Sequence, residues 1–475
     1  MILLAVLDCF DVKGWLVFIF VFLLVVDIVR NRTPTNFPPG PWSVPFLGNV
    51  FTGLDFKTID KMAKDYGPVF SLRRGSDRVV FISGYKMVKE ALVNQLDSFY
   101  DRPIVPLFHV TFKGIGITLS NGHMWKNQRK FAHTHLRYFG EGKKGLEHYI
   151  QLESNFLCEA FREEQGGGFN PHYILNNAVG NIISCVVFGH RFEYSDETFQ
   201  KVLRLDNEVV ILSGSARAQL YDAFPHIMKY LPGPHQTIHS NYQQITDFLQ
   251  AEIEKHQEDW DPEDPRDYID TYLTEIDKRK EDPKAGFNTE TLVVCTLDLI
   301  EAGMESAATT LRWVLVYMMN YPEIQEKVQA EIDRVIGQSR QPTMADRPNM
   351  PFTDAVIHET QRIGNILPLG FPKMASKDTK LGEYFIPKGT VVNTNLSSVL
   401  FDKDEWETPN TFNPEHFLDS EGQFRRRDAF LPFSAAFLLV SGLWSHAQFG
   451  RCPGVHSLPS GVPGPSPATV TTSSH

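Results

Sequence analysis

The chain has 475 residues, 42% of them hydrophobic, enough for one large enzyme domain or two ordinary ones with a substantial core. Lys and Arg total 46 against 57 Asp and Glu, and this net charge of −11 argues against a nucleic-acid partner. The five cysteines (Cys9, Cys158, Cys185, Cys295, Cys452) are scattered without a CxxC pair, so neither a disulfide framework nor structural zinc is expected.

In chain order, the first element is an apolar run, Gly14 to Val29, whose one charge is Asp27. A membrane span wants about 20 apolar residues, so this run is marginal in length. A cleaved signal peptide is the rival reading. Against it stand Asp8 and Asp11 in place of a leading basic cluster, the absence of a small-x-small site, and Arg30 and Arg32 directly after the run. The expectation is an uncleaved anchor over residues 1–30 with the main domain on the cytosolic side. Residues 31–49 form a hinge in which Pro38, Pro39 and Pro41 fix φ and give a stiff, extended connector.

From there to about residue 345, apolar residues recur at spacings of three and four, as in Tyr242 to His256 and Pro322 to Ile336, and predict helices. Strand-like alternation is confined to Arg78–Gly84 and Lys380–Leu396, where Pro387-Lys388-Gly389 marks a turn between two short strands. The fold class is therefore mainly α with a small β-sheet. Residues 436–475 hold no Asp, Glu or Lys and one charged side chain, Arg451, before a low-complexity end. Such a composition predicts a disordered tail.

The helix predicted over Thr291 to Met319 is apolar on most sides, yet Ala302-Gly303-Met304-Glu305-Ser306 interrupts it with a glycine, an acid and a hydroxyl. A glycine inside a helix costs about 1 kcal/mol against alanine, and an acid in an apolar wall needs a partner or a task. Close helix packing with a satisfied carboxylate is the bland alternative for this motif by itself. Three further signals follow the same pattern of weak individual specificity. Glu359 and Arg362 stand one helical turn apart, His416 lies in FNPEHF, and Trp125 and Arg129 share a helix face.

Taken in order, PPGP after an anchor, W-x-x-x-R, A-G-x-E-S, E-x-x-R and PEHF resemble the microsomal cytochrome P-450 monooxygenases. HETQRIGNILPLGFPK and FSLRRGSDRVVFISGY are most similar to family two, close to its J subfamily of fatty-acid epoxygenases and hydroxylases. The resemblance runs from about Pro38 to Ala435; it implies a domain of the family over residues 50–435 and the family fold, incomplete at its C-terminal end. It further implies haem b, electrons from NADPH through a reductase, cytochrome b5 as an additional partner, membrane lipid, a lipophilic small-molecule substrate and an endoplasmic reticulum location. By the same resemblance, Trp125 and Arg129 hold a haem propionate, with Lys113 and Lys373 near the propionates. Ala302 and Gly303 leave room for dioxygen, and Glu305 and Ser306 form the acid and alcohol of the proton relay. Glu359, Arg362 and His416 make a structural triad, histidine standing where the family has arginine.

One departure is abrupt. The haem loop of the family reads F-x-x-G-x-R-x-C-x-G, and the chain starts it with Phe433-Ser434-Ala435. The glycine position is then Ala436, the arginine position Leu438 and the cysteine position Val440, so no metal ligand is present there. Divergence at a single point is what a retained intron, a frameshift or a misassigned last exon produces. Such a chain is either an enzyme of the family in its intact form or a haem-poor, inactive isoform.

Overall fold

The computed structural model describes residues 12–141 and 145–434, apart from the side chains of 137–141. Eleven helices of eleven residues or more are described: α1 (Val12–Arg30), α2 (Phe56–Tyr66), α3 (Gly122–Glu141), α4 (Leu146–Glu163), α5 (His172–Val187), α6 (Glu197–Ser213), α7 (Pro234–Asp259), α8 (Tyr268–Lys278), α9 (Thr289–Asn320), α10 (Pro322–Val335) and α11 (Pro351–Gly364). The strands are β1 (Val69–Arg74), β2 (Asp77–Ile82), β3 (Lys373–Met374), β4 (Thr379–Leu381), β5 (Tyr384–Ile386) and β6 (Val391–Thr394). Mainly helical with little sheet, this is the expected fold class. The chain divides into two units.

The first unit comprises residues up to Leu107, Ser215–Gly233 and Pro368–Val399, and it holds every strand of the described residues. β1 and β2 form an antiparallel hairpin, β2 pairs in parallel with β6, and β6 pairs with β3. The alternation that predicted two strands around Pro387-Lys388-Gly389 is correct, but the two part company there. β5 pairs with β4 in a separate two-stranded sheet, while β6 joins the larger one. Phe70 and Phe81 stack across the hairpin at 5.3 Å and anchor the core of this unit with Ile59, Leu72 and Val79.

α1 has 19 residues, about 28 Å at 1.5 Å per residue, close to the thickness of a bilayer core. No residue of it is buried, so its apolar surface is free to meet lipid. Its one acid is not left unsatisfied. Asp27 pairs with Arg73 of β1 at 3.1 Å and accepts from the Phe46 amide at 3.1 Å. The proline-rich segment runs beside β1, where the Ser71 amide donates to the Pro39 carbonyl at 2.7 Å and its hydroxyl to the Pro38 carbonyl at 2.8 Å. A Cβ on Gly40 would lie 1.9 Å from the Ser71 oxygen, so the glycine is a requirement of this close approach.

The second unit comprises Phe108–Gly214, Pro234–Leu367 and the chain from Leu400 onward. α9 is its axis: a 32-residue helix that begins at an Asn288 N-cap and packs against α5, α7, α8, α10 and α11. The apolar face count of α9 explains this placement, since Leu292, Cys295, Leu297 and Ala308 on different sides of it are all fully buried. The helices predicted over Tyr242 to His256 and Pro322 to Ile336 correspond to α7 and α10.

Candidate active site

α9 carries the residues the sequence singled out. Ala302 is partly accessible and Gly303 buried. The Ser306 hydroxyl donates to the Ala302 carbonyl at 2.6 Å, one turn back along its own helix. Glu305 turns the other way, as neighbours on a helix must. Its Oε1 pairs with Arg312 Nη2 at 2.6 Å and accepts from the Thr309 hydroxyl at 2.9 Å, and its Oε2 accepts from Asn176 Nδ2 on α5 at 3.3 Å. No hydrogen bond joins Glu305 to Ser306. The acid and the alcohol are adjacent, but each is held separately.

Arg312 stands seven residues, two turns, beyond Glu305, so both lie on one face. It also donates to His172 Nδ1 at the start of α5. Burial first, and then the Arg312 charge, lower the His172 pKa, which fits a neutral imidazole accepting from the guanidinium. Arg312, His172 and Asn176 were not legible as partners of Glu305, because two of them arrive on α5. The i,i+7 spacing of Glu305 and Arg312 was the one available signal.

A second carboxylate on α9 fixes a loop. Asp298, buried, accepts from the amides of Ile117 at 2.6 Å and Thr118 at 3.2 Å. This forces the loop close to the helix. A Cβ on Gly116, at φ +85°, would fall 2.5 Å from Asp298 Oδ2 and 2.6 Å from Val294 Cγ1.

The candidate propionate contacts are distributed. On α3 the Arg129 guanidinium lies over the Trp125 ring, 5.4 Å from its centroid, as their spacing predicted. Arg129 is exposed and has no carboxylate partner among the described residues. Lys113, by contrast, forms an exposed ion pair with Glu290 in the first turn of α9 at 2.6 Å. Lys373 is the buried first residue of β3, in the other unit.

Glu359, Arg362 and His416 come together in full burial. Arg362 makes a bidentate pair with Glu359, both contacts at 2.7 Å, and donates to the carbonyls of Leu400 at 2.7 Å, Pro409 at 2.8 Å and Thr411 at 3.2 Å. His416 Nδ1 lies 3.2 Å from Glu359 Oε2, and the Thr408 amide donates to Nε2 at 3.1 Å. That second bond assigns the proton to Nδ1, so the imidazole donates to Glu359. Histidine here reaches the same carboxylate that an arginine would, with a single bond.

A cofactor with an axial thiolate tests poorly against these donors. Val440, the position where a cysteine is expected, lies outside the described residues, as do Ala436, Leu438, His446 and Cys452; a valine side chain has no donor atom. The buried cysteines offer no substitute. Burial holds the Cys185 thiol up at about 12 and that of Cys295, inside α9, well above its ordinary value, so both stay protonated. The valine at the ligand position does not fit the group. Elsewhere, His256, Asp267 and Asp270 bring three potential metal ligands together, but Arg266 already donates to Asp270 at 2.6 Å and His256 bonds Asp267 at 3.0 Å.

The profile of the Cytochrome P450 family matches residues 38–435. The chain belongs to the cytochrome P-450 family. Its relatives include Cytochrome P450 2J2 of Homo sapiens, 51% identical over 87% of this chain and 83% of that protein. Cytochrome P450 2J5 of Mus musculus is 48% identical over 90% of this chain and 85% of its own length, and Cytochrome P450 2J1 of Oryctolagus cuniculus is 48% identical over 87% and 83%. The J subfamily of family two is thus the close kin of this cytochrome P-450. The family match ends at residue 435, where the haem-loop pattern stops in the sequence.

Proposed function

We propose that this cytochrome P-450 is built as a monooxygenase of the endoplasmic reticulum membrane. Its scaffold suits lipophilic substrates such as polyunsaturated fatty acids or xenobiotics, with O2 and with electrons from NADPH through a reductase, cytochrome b5 assisting. We further propose that the chain ending in residues 436–475 does not perform that oxidation and persists as a haem-poor membrane protein. Haem b with a cysteine thiolate supplies the oxygen-activating chemistry of this class, because the thiolate promotes O–O cleavage.

The first half rests on α9, where Ala302 and Gly303 leave the helix surface low and Glu305 and Ser306 offer an acid and a hydroxyl at the same level. The second half rests on Val440. In this reading Trp125, Arg129, Lys113 and Lys373 are propionate contacts, Glu305 and Ser306 relay protons, and Glu359, Arg362 and His416 hold the fold. α1, with its exposed apolar surface, the basic Arg30 at its end and Arg32 after it, supports a single anchor with a cytosolic main domain.

Residues 1–475 are to be expressed, reduced with dithionite and exposed to carbon monoxide. The thiolate-type Soret band should be absent. A stoichiometric band that disappears in Cys452→Ser would overturn the second half, since Cys452 would then supply the ligand. Replacing residues 436–475 by a family loop with cysteine at 440 should create the band, and failure to do so would sink the first half.

A further inference from the structure

The connector after α1 reads in sequence as a hinge, yet it is fastened to the β1–β2 hairpin of the first unit along its length. The carbonyl of Asn31, directly after α1, accepts from the Arg78 guanidinium of β2, which also lies over the Phe37 ring, 5.5 Å from its centroid. Ser71 of β1 takes the carbonyls of Pro38 and Pro39, and Asn49 Oδ1 accepts from the Arg73 amide at 2.8 Å. The fastening continues into α1 itself. Asp27 Oδ2 receives Arg73 Nη2 and the Phe46 amide, both at 3.1 Å, while Oδ1 receives the Asn31 side-chain amide at 2.8 Å. Two turns earlier, on the same helix face, the Phe20 ring lies 6.4 Å from that of Phe46. Arg73 is immobilised in turn, its Nε donating to the Gly75 carbonyl at 2.9 Å and its Nη2 to the Val44 carbonyl at 3.4 Å.

Exposed ion pairs contribute little, because both side chains move and water screens them. The Arg73 and Asp27 side chains are only 10% and 12% exposed, and each is held by further bonds, so neither discount applies in full. Phe20 and Asp27 stand about 10 Å apart along the helix axis. Two attachments on one face fix the direction of a helix as well as its position, which one contact cannot do. We propose that the Asp27–Arg73 pair, with the Phe20–Phe46 contact, locks α1 to the first unit, so that the membrane anchor is a rigid strut set at one angle to the β1–β2 hairpin and not a swivelling tether. This lock rests on the reading of α1 as an uncleaved anchor. Its consequence is that a bilayer holding α1 also sets the height and tilt of the hairpin.

Pulsed electron paramagnetic resonance of the full chain in phosphatidylcholine nanodiscs tests this without cofactor. Nitroxides are placed at Val17→Cys on α1 and at Ser76→Cys in the turn between β1 and β2, both exposed positions, with Cys9→Ala, Cys158→Ala and Cys452→Ala clearing other reactive thiols. The label-to-label distance should be a single narrow distribution, and Asp27→Ala and Arg73→Met should each broaden it by about twofold as α1 is freed to swivel. Asp27→Ala lies outside the core of the first unit and serves if Arg73→Met does not fold. Equal widths in the parent chain and in Asp27→Ala, or a broad distribution in the parent chain, would overturn the lock. The anchor reading fails separately: a chain recovered cleaved after α1 removes both, whereas equal widths in an intact, disc-bound chain remove the lock alone.

Discussion

Arg362→Met is the most informative single change, because it keeps the volume of a fully buried side chain and removes its charge. The guanidinium makes five contacts: two with Glu359 and one each with the carbonyls of Leu400, Pro409 and Thr411. Removing one member of a buried pair costs about 3–5 kcal/mol, since the other charge stays behind uncompensated. The three carbonyls each lose a donor worth about 1 kcal/mol, partly recovered by relaxation. A total of about 5 kcal/mol rivals the whole stability of many proteins. The single variant should therefore be unfolded or nearly so at room temperature, measured by urea denaturation followed by circular dichroism in detergent. Glu359→Leu/Arg362→Met removes both charges together and should be more stable than Arg362→Met alone by about 2 kcal/mol or more. A loss below about 1 kcal/mol in the single variant, or a double variant less stable than it, would refute the reasoning.

Four other outcomes follow from the same structure. In a loop-restored chain, Ser306→Ala should raise electron consumption per product formed, because the hydroxyl of the relay is gone; an unchanged ratio assigns Ser306 to packing. Gly116→Ala should lower thermal stability by about 2 kcal/mol, since the methyl meets Asp298 and Val294 at a positive φ, and an unaltered melting temperature would contradict the close approach. His256, whose burial lowers its pKa while the Asp267 carboxylate more than offsets this, titrates at about 9 in the fold against an ordinary 6.5. A pKa raised by folding adds stability that is complete below about 6.5 and lost as pH rises through about 9. Wild type should thus lose up to about 3 kcal/mol across that window, and His256→Gln should not, as pH-dependent melts will read. Deleting residues 1–30 should reduce recovery in the membrane fraction; cleavage after the segment in microsomes would instead identify a signal peptide.

Much of this protein was written in local pattern. The period of apolar residues gave α7, α9 and α10, the order of short motifs gave the family, and the spacing of Trp125 with Arg129 and of Glu359 with Arg362 gave contacts within one helix, where sequence distance fixes spatial distance. The loss of the thiolate at Val440 is also a matter of sequence alone, since it concerns which atoms a side chain has. Contacts between helices were not available in this way. That Glu305 meets Asn176, that Arg312 meets His172 and that Asp298 holds the Ile117 amide depend on which faces of α5 and α9 pack together and on a loop whose path a glycine permits. β5 and β6 likewise read as neighbours across a turn, yet pair with different strands, because strand pairing is decided by partners distant in the chain. Asp27 is the clearest case. In sequence it is one charge marring an apolar run; in the fold it is paired with Arg73, 46 residues away, and the apolar surface of the run stays exposed.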